Sequence, residues 1–321
     1  MDTISVLVLA DPAEPQLAQL STLPGATISV GDTPAAFERT APHAAVILCF
    51  LSDSTLLSEI WPMAPRVRWV HTLSAGLDGL LFPALVESPV PLTNARGVFS
   101  DILAEFVIGA VLFFAKGFRR LVLSQMSGKW EQFDIGEIRG QTLGLVGYGD
   151  IGRAVASRAH ALGMKVVALR RRPELSRDDP SLAHVFPPDG MREMLAQSDY
   201  VVVSTPLTDE SRGMIGKPEF DVMKPATVLI NVGRGPVVNE QALIRALEQR
   251  RIRGAALDVF DTEPLPASHP FYNLDNVLLS PHSADHTPGW KERSMRVFLE
   301  NFERFRRGEP LRNVVNKKLG Y

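Results

Sequence analysis

The sequence predicts an α/β protein of two parallel-sheet domains, and three observations carry that prediction. Short apolar runs alternate with helical patterns from residue 4 almost to the end, as expected for parallel strands joined by crossover helices. Glycines 147, 149 and 152, spaced G-x-G-x-x-G, lie between one such run and one such helix. The 321 residues suffice for two domains of ordinary size, each with its own core.

Residues 1 to about 100 carry the alternation without phosphate-binding glycines. Strands are expected at 4–9, 27–30, 44–50 and 67–73, with short helices at 14–20 and 54–60. Residues 102–115 are apolar nearly all round and read as a buried helix. That segment is too short to span a bilayer and carries Glu105 inside it. A polar stretch, 124–140, leads into a buried strand at 142–146. The helix 151–162 follows, with Ile151, Val155, Ala156, Ala159 and Leu162 on its inner face and Arg158 at the edge. Gly163 stops it, and a strand at 166–169 closes the βαβ unit. Further strands are expected at 200–203, 228–232, 255–259 and 277–279. The helix 239–250 ends in Arg250, Arg251 and Arg253, which suit the negative end of its dipole. The last helix, 289–307, is amphipathic, with Met295, Val297, Phe298, Phe302 and Phe305 for a buried stripe, and its pattern belongs to neither sheet.

Each glycine of the fingerprint has a mechanical reason. Gly147 permits a tight turn, Gly149 lets backbone approach a pyrophosphate, and Gly152 allows close helix–strand packing. The helix that begins there directs its N–H groups and positive dipole end at the phosphates. About 20 residues on, where an NAD site has an acid for the ribose 2′-OH, stand Arg170, Arg171 and Arg172. A charge run is often only a solvated face. At this position a guanidinium also matches a 2′-phosphate through two parallel bonds, so NADP is the expected preference over NAD.

Composition narrows the function. The chain is 45% hydrophobic and 22% charged with net charge −2, its basic residues scattered, which argues against nucleic acid as the main partner. The single cysteine, Cys49, lies in an apolar run and offers no disulfide, as expected of a cytoplasmic protein. The N-terminal residues lack a basic leader, and no membrane attachment or metal site is expected.

Ligands of open α/β sheets sit outside the carboxyl ends of the strands. Arg234, Glu263 and His282 follow three successive predicted strands there. Singly each has an ordinary reading: a surface cation, a turn former before proline, one of seven histidines. Their conjunction beside a cofactor motif points to chemistry.

The sequence resembles the D-isomer-specific 2-hydroxyacid dehydrogenases over roughly its whole length. SAGLDGL (74–80), GYGDIG (147–152), STPLTDESRGMIG (204–216), INVGRGPVVNE (230–240), ALDVFDTEPLP (256–266) and NVLLSPHSA (276–284) carry the resemblance. It implies two Rossmann-like or flavodoxin-like domains, the nucleotide-binding one (101–287) inserted into a substrate-binding one (1–100 plus 288–321), with a cleft that closes over substrate. The resemblance also implies reduction of a small 2-oxo acid, of the glyoxylate or hydroxypyruvate kind, to the D-2-hydroxy acid. Arg234 would hold the substrate's carboxylate and carbonyl oxygen, His282 would give the proton, and Glu263 would keep the imidazole cationic. Backbone N–H groups of Ala75 and Gly76 would bind the carboxylate, although these residues also read as a simple turn. Cofactor contacts are implied at Gly147, Gly149, Asp150, Ile151, Gly152, Arg170, Arg171, Thr205, Pro206, Val232, Gly233, Arg234 and Asp258. Asp258 would face the nicotinamide carboxamide, and Leu77, Phe99 and Trp290 would shape the substrate pocket. A homodimer through the nucleotide domain is expected, with 102–115 and 124–140 as contact surfaces. The alternatives are a short phosphoglycerate dehydrogenase and a dinucleotide-sensing corepressor, which turnover of an oxo acid would separate from the reductase.

The chemistry itself asks for these residue types. Hydride arrival turns a carbonyl into a developing alkoxide, which needs fixed positive charge and a proton within reach. A carboxylate beside an imidazole favours its acid form.

Overall fold

Apolar runs of four or five residues become central strands buried along their whole length, and the strand order sets the architecture. The structure is a computed structural model that describes residues 3–50 and 54–321. It divides into two compact units, Met1–Val98 with Pro288–Tyr321, and Phe99–Thr287.

The first unit is wound on β1 (Ile4–Leu9), which pairs in parallel with β2 (Ala26–Gly31) and β3 (Val46–Cys49). After α1 (Thr55–Ile60) come β4 (Trp69–Thr72), α2 (Pro83–Glu87) and a two-residue β5 (Leu92–Thr93). The sheet order β2-β1-β3-β4-β5 is that of flavodoxin-like folds. The helix expected at 14–20 is a 3-10 helix, Pro15–Thr22. The strand β5 has no sequence signal, because two residues carry no period; it exists through pairing with β4. Cys49 is buried in the core, and burial pushes its thiol up to about 12, so it is an inert hydrophobe.

The second unit opens with α3 (Ser100–Ala115), which packs on α5 (Asp150–Ala161) and buries Leu103, Ala104, Val107, Ala110, Val111 and Phe114. Between them lies α4 (Phe118–Met126), so the stretch expected to be polar begins inside a helix. Seven strands follow in the chain: β6 (Thr142–Val146), β7 (Lys165–Leu169), β8 (His184–Phe186), β9 (Tyr200–Val203), β10 (Val228–Asn231), β11 (Gly254–Leu257) and β12 (Val277–Leu279). With α6 (Met191–Gln197), α7 (Lys217–Val222) and α8 (Glu240–Glu248) they form an all-parallel sheet, β12-β11-β10-β9-β6-β7-β8. The strand order reverses between β6 and β9, the place where doubly wound sheets bind nucleotides. The predicted α/β fold with two parallel sheets is therefore found.

Two local expectations are corrected. Leu162 was expected on the buried face of α5 but is 41% exposed, because the helix ends at Ala161 and the chain turns through Gly163 at φ 81°. The arginines after α8 do not serve their own helix. Arg250 pairs with Asp275, while Arg251 and Arg253 donate to the carbonyls of Asp221 and Phe114, at the C-terminal ends of α7 and α3. The dipole argument holds, but for neighbouring helices that only the fold brings near.

The last helix, α9 (Trp290–Arg307), returns to the first unit. Met295, Phe298 and Phe302 are wholly buried there, and Phe298 stacks on Trp69 at 5.2 Å. Each such side chain contributes about 1.5–3 kcal/mol by burial, which fixes α9 to this sheet. Beside it His71 is wholly buried, and burial pushes its imidazole down to about 3, so this histidine stays neutral and structural. Among the described residues no helix is long and apolar enough to cross a membrane.

Candidate active site

The glycine loop is built as its spacing requires. Gly147 has φ 97°, and a Cβ there would lie 2.7 Å from Thr205 Oγ1. A Cβ on Gly152 would lie 2.6 Å from the Gly147 carbonyl oxygen, so the helix meets the strand at backbone contact. Gly149 precedes Asp150, the first residue of α5, and nothing lies within 4 Å of its Cβ position. The loop thus presents an open helix N-terminus fit for the pyrophosphate of a dinucleotide. Asp150 carries an ion-pair partner in Arg153 at 3.8 Å, and Ile151 is half-buried on the same first turn.

The end of β9 is stitched to this loop. Thr205 Oγ1 donates to the Val146 carbonyl (2.8 Å) and Ser204 Oγ to that of Gly147 (3.1 Å), while Pro206 is exposed. Tyr148, inside the fingerprint, is buried and donates its hydroxyl to Asp179 (2.7 Å); burial, then Asp179, holds the phenol above its usual range. At the end of β7 the arginines diverge. Arg170 bonds Ser176 and is held below its usual range by burial first and by Arg153 and Arg172 next, while Arg171 pairs with Glu210. Arg170, with the cations Arg153 and Arg172 nearby, thus stands where an NAD site has its acid.

Arg234, Glu263 and His282 stand after β10, β11 and β12, which are neighbours in the sheet. Asn231 shapes the first of these turns. Its Oδ1 accepts from Gly233 N–H (3.0 Å) and its Nδ2 donates to the Arg234 carbonyl (3.1 Å), with Val232 and Gly233 buried between. Arg234 anchors one nitrogen on the Gly233 carbonyl at 2.8 Å. Gly235 admits no side chain, since a Cβ would fall 2.1 Å from the carbonyl carbon of Phe260.

Glu263 Oε1 accepts from Phe260 N–H (2.9 Å), and its Oε2 lies 2.6 Å from His282 Nδ1. A carboxylate only accepts, so Nδ1 carries the proton in this bond and Nε2 is the nitrogen left to face a ligand. The two side chains keep 34% and 41% exposure, enough to meet a substrate. His282 has φ 50°, a left-handed conformation costing about 1–2 kcal/mol in a non-glycine residue. Asp258 offsets that cost. Its buried Oδ1 accepts from the N–H groups of Ser283 and Ala284, both at 3.0 Å, and locks the turn. Burial raises the Asp258 carboxyl against these bonds. Asn231 and this use of Asp258 escaped sequence reasoning; a polar residue ending a buried strand was the only available signal.

In the first unit, residues 74–78 follow β4 as an irregular loop. The carbonyls of Ser74, Ala75 and Gly76 accept from Ala95 N–H (3.0 Å), Asn94 Nδ2 (2.7 Å) and Ser74 Oγ (3.1 Å). The N–H groups of Ala75 and Gly76 take no acceptor among the described residues, a disposition suited to an anion. Leu77, expected to shape a pocket, is instead 2% exposed in the core of this unit with Leu80 and Leu85.

Residues 108–284 match the model of the D-isomer specific 2-hydroxyacid dehydrogenase family, NAD binding domain. A glyoxylate reductase of Thermofilum pendens is 34% identical over 284 residues, covering 85% of this chain and 81% of that protein. One of Thermococcus gammatolerans is 34% identical over 275 residues, 81% and 80% of the two chains. Among solved structures, a D-isomer specific 2-hydroxyacid dehydrogenase from Xanthobacter autotrophicus Py2 in complex with NADPH and MES superposes with TM-score 0.85 at 28% identity, covering all of both chains. An NADPH-dependent glyoxylate/hydroxypyruvate reductase from Sinorhizobium meliloti, with NADP and sulfate, superposes with TM-score 0.86 at 25% identity, again over the full lengths.

Proposed function

We propose that this chain, which belongs to the D-isomer-specific 2-hydroxyacid dehydrogenase family, reduces a small 2-oxo acid such as glyoxylate or hydroxypyruvate to its D-2-hydroxy acid. The 2.6 Å His282–Glu263 bond, one strand from Arg234 and on the same sheet as an open glycine loop, carries this reading. The bound NAD(P)H supplies the hydride. His282, as an imidazolium with both ring nitrogens protonated, gives its Nε2 proton to the carbonyl oxygen, Arg234 holds that oxygen and the carboxylate, and Glu263 accepts from Nδ1–H and orients the ring. Gly147, Gly149, Asp150, Ile151 and Gly152 would hold the pyrophosphate, Thr205, Pro206, Val232, Gly233 and Asp258 the nicotinamide end, and Ala75 and Gly76 would offer N–H groups to the substrate's carboxylate.

A panel of 2-oxo acids assayed with both cofactors tests the reading, with glyoxylate and hydroxypyruvate expected among the substrates. Reduction consumes one proton, so raising the pH should shift the equilibrium toward oxidation of the D-hydroxy acid. A protein that binds NAD(P)H but turns over none of the acids is a sensor and not a reductase.

We further assign the cofactor preference to NADP(H), through Arg170 and Arg171; the relatives solved with NADPH or NADP support it. Charge-assisted bonds contribute about 1.5–3 kcal/mol each, so the double substitution R170S/R171S should lower kcat/KM for NADPH about 10–100-fold and leave NADH within about 2-fold. A wild-type ratio of kcat/KM favouring NADH would refute the assignment.

In this reading residues 1–100 with 288–321 bind substrate, and 101–287 bind the dinucleotide. The chain works as a homodimer in the cytoplasm. The one cysteine, buried, fits a reducing compartment. Leu121, Val122, Leu123, Met126, Trp130 and Ile135 are 46–95% exposed along α4 and the stretch after it, more apolar surface than an isolated subunit ordinarily shows.

A further inference from the structure

Two adjacent backbone N–H groups beyond β11, those of Phe260 and Asp261, each meet a glutamate that in turn meets a histidine. Phe260 N–H donates to Glu263 Oε1 (2.9 Å), and Glu263 Oε2 holds His282 (2.6 Å). Asp261 N–H donates to Glu240 Oε2 (3.4 Å), and Glu240 Oε1 lies 3.1 Å from His269 Nε2. The first pair is the reactive one. The second is far less accessible, with side chains 16% and 13% exposed for Glu240 and His269.

The hydrogen bonds settle the protonation of this hidden pair. Phe271 N–H donates to His269 Nδ1 (3.3 Å) and caps the 3-10 helix Pro270–Asn273, so that nitrogen presents a lone pair. The imidazole proton therefore sits on Nε2, directed at Glu240. Glu240 is the first residue of α8, where a carboxylate is favoured by the helix dipole. The same peptide also bears on Arg234: a Cβ on Gly235 would lie 2.1 Å from the Phe260 carbonyl carbon and 2.6 Å from Asp261 N. The backbone of Phe260 and Asp261 thus meets Glu263 directly, His282 through Glu263, and the chain beside Arg234 at Gly235.

We propose that Glu240 and His269 are positioning residues for the reduction, holding the 260–261 peptide so that Glu263 and His282 keep their geometry. This rests on the reductase reading above. Small misplacements of reacting groups cost rate steeply, about 100-fold for 1 Å, and a bond one peptide from Glu263 is close enough to cause one.

Two substitutions separate positioning from mere stability. His269→Asn leaves a side-chain oxygen to cap Phe271 N–H, since Asn is a good cap, but it is too short to hold Glu240. Glu240→Gln keeps shape but replaces one acceptor oxygen with NH₂, so either Asp261 N–H or His269 Nε2–H loses its acceptor. Each should lower kcat about 10-fold with KM for NADPH within about 2-fold, and the double variant should be no worse than either single one. In ¹⁵N-histidine-labelled protein, the Nδ1 signal of His282 should shift in both variants, because it reports the bond to Glu263. That signal needs no turnover, so it tests the positioning even if the wild-type protein reduced no 2-oxo acid and the reductase reading fell. Wild-type kcat in both variants would overturn the proposal. So would a reduced kcat with an unmoved His282 signal, since the effect would then bypass Glu263.

Discussion

His282→Asn lowers kcat for glyoxylate reduction about 10³-fold, a loss of roughly 4 kcal/mol of transition-state stabilisation, while KM for NADPH changes little. Asn is the informative replacement because His282 sits at φ 50°, a conformation Asn adopts more readily than most residues. The two bonds from Asp258 to Ser283 and Ala284 are backbone contacts and survive the change, so the turn keeps its shape. What disappears is the Nε2 proton, whose delivery neutralises the alkoxide as hydride arrives. Stopped-flow loss of NADPH absorbance in a single turnover separates this step from product release. A loss smaller than about 10-fold would assign the proton to another donor, because positioned general acids contribute about 10²–10⁴.

Arg234→Gln is expected to lower kcat/KM for the oxo acid about 10³-fold, and Arg234→Lys about 10²-fold. The guanidinium is already oriented, with one nitrogen on the Gly233 carbonyl at 2.8 Å and the backbone on either side clamped by Asn231. A planar fork anchored at one end can bind a carboxylate and a carbonyl oxygen together, which an ammonium cannot do with the same geometry. Gln retains hydrogen bonding but not the charge that the alkoxide requires. Steady-state kinetics over glyoxylate at saturating NADPH measure both variants, and an unchanged kcat/KM in Arg234→Lys would show that only charge matters there.

The strands and the glycine loop were legible because each depends on near neighbours, and so was the position of Arg234, Glu263 and His282 just after successive strands. Residues 142–146 read as a buried strand and are one, to the residue, because a parallel strand covered on both faces must be continuously apolar. Gly147 and Gly152 were legible for the same reason, as their demand for a missing Cβ arises within a few residues. The second unit's partnerships were not. Asp258 holds Ser283 and Ala284 across 25 and 26 residues, and Arg253 reaches Phe114 across 139. No periodicity reports a hydrogen bond whose partner is set by sheet order. Leu77 makes the same point from the apolar side: beside a loop it resembled a pocket residue, and packing drew it into the core.

Local pattern was enough to find the strand ends that carry Arg234, Glu263 and His282, since apolar period and turn geometry act over a handful of bonds. Which asparagine shapes the arginine's turn, which carboxylate locks the turn at His282, and which side chains seat the C-terminal helix came only with the folded chain. Those choices are made by contacts between β10, β11 and β12 and by burial of Phe298 against Trp69, interactions that exist only after distant segments have been brought together.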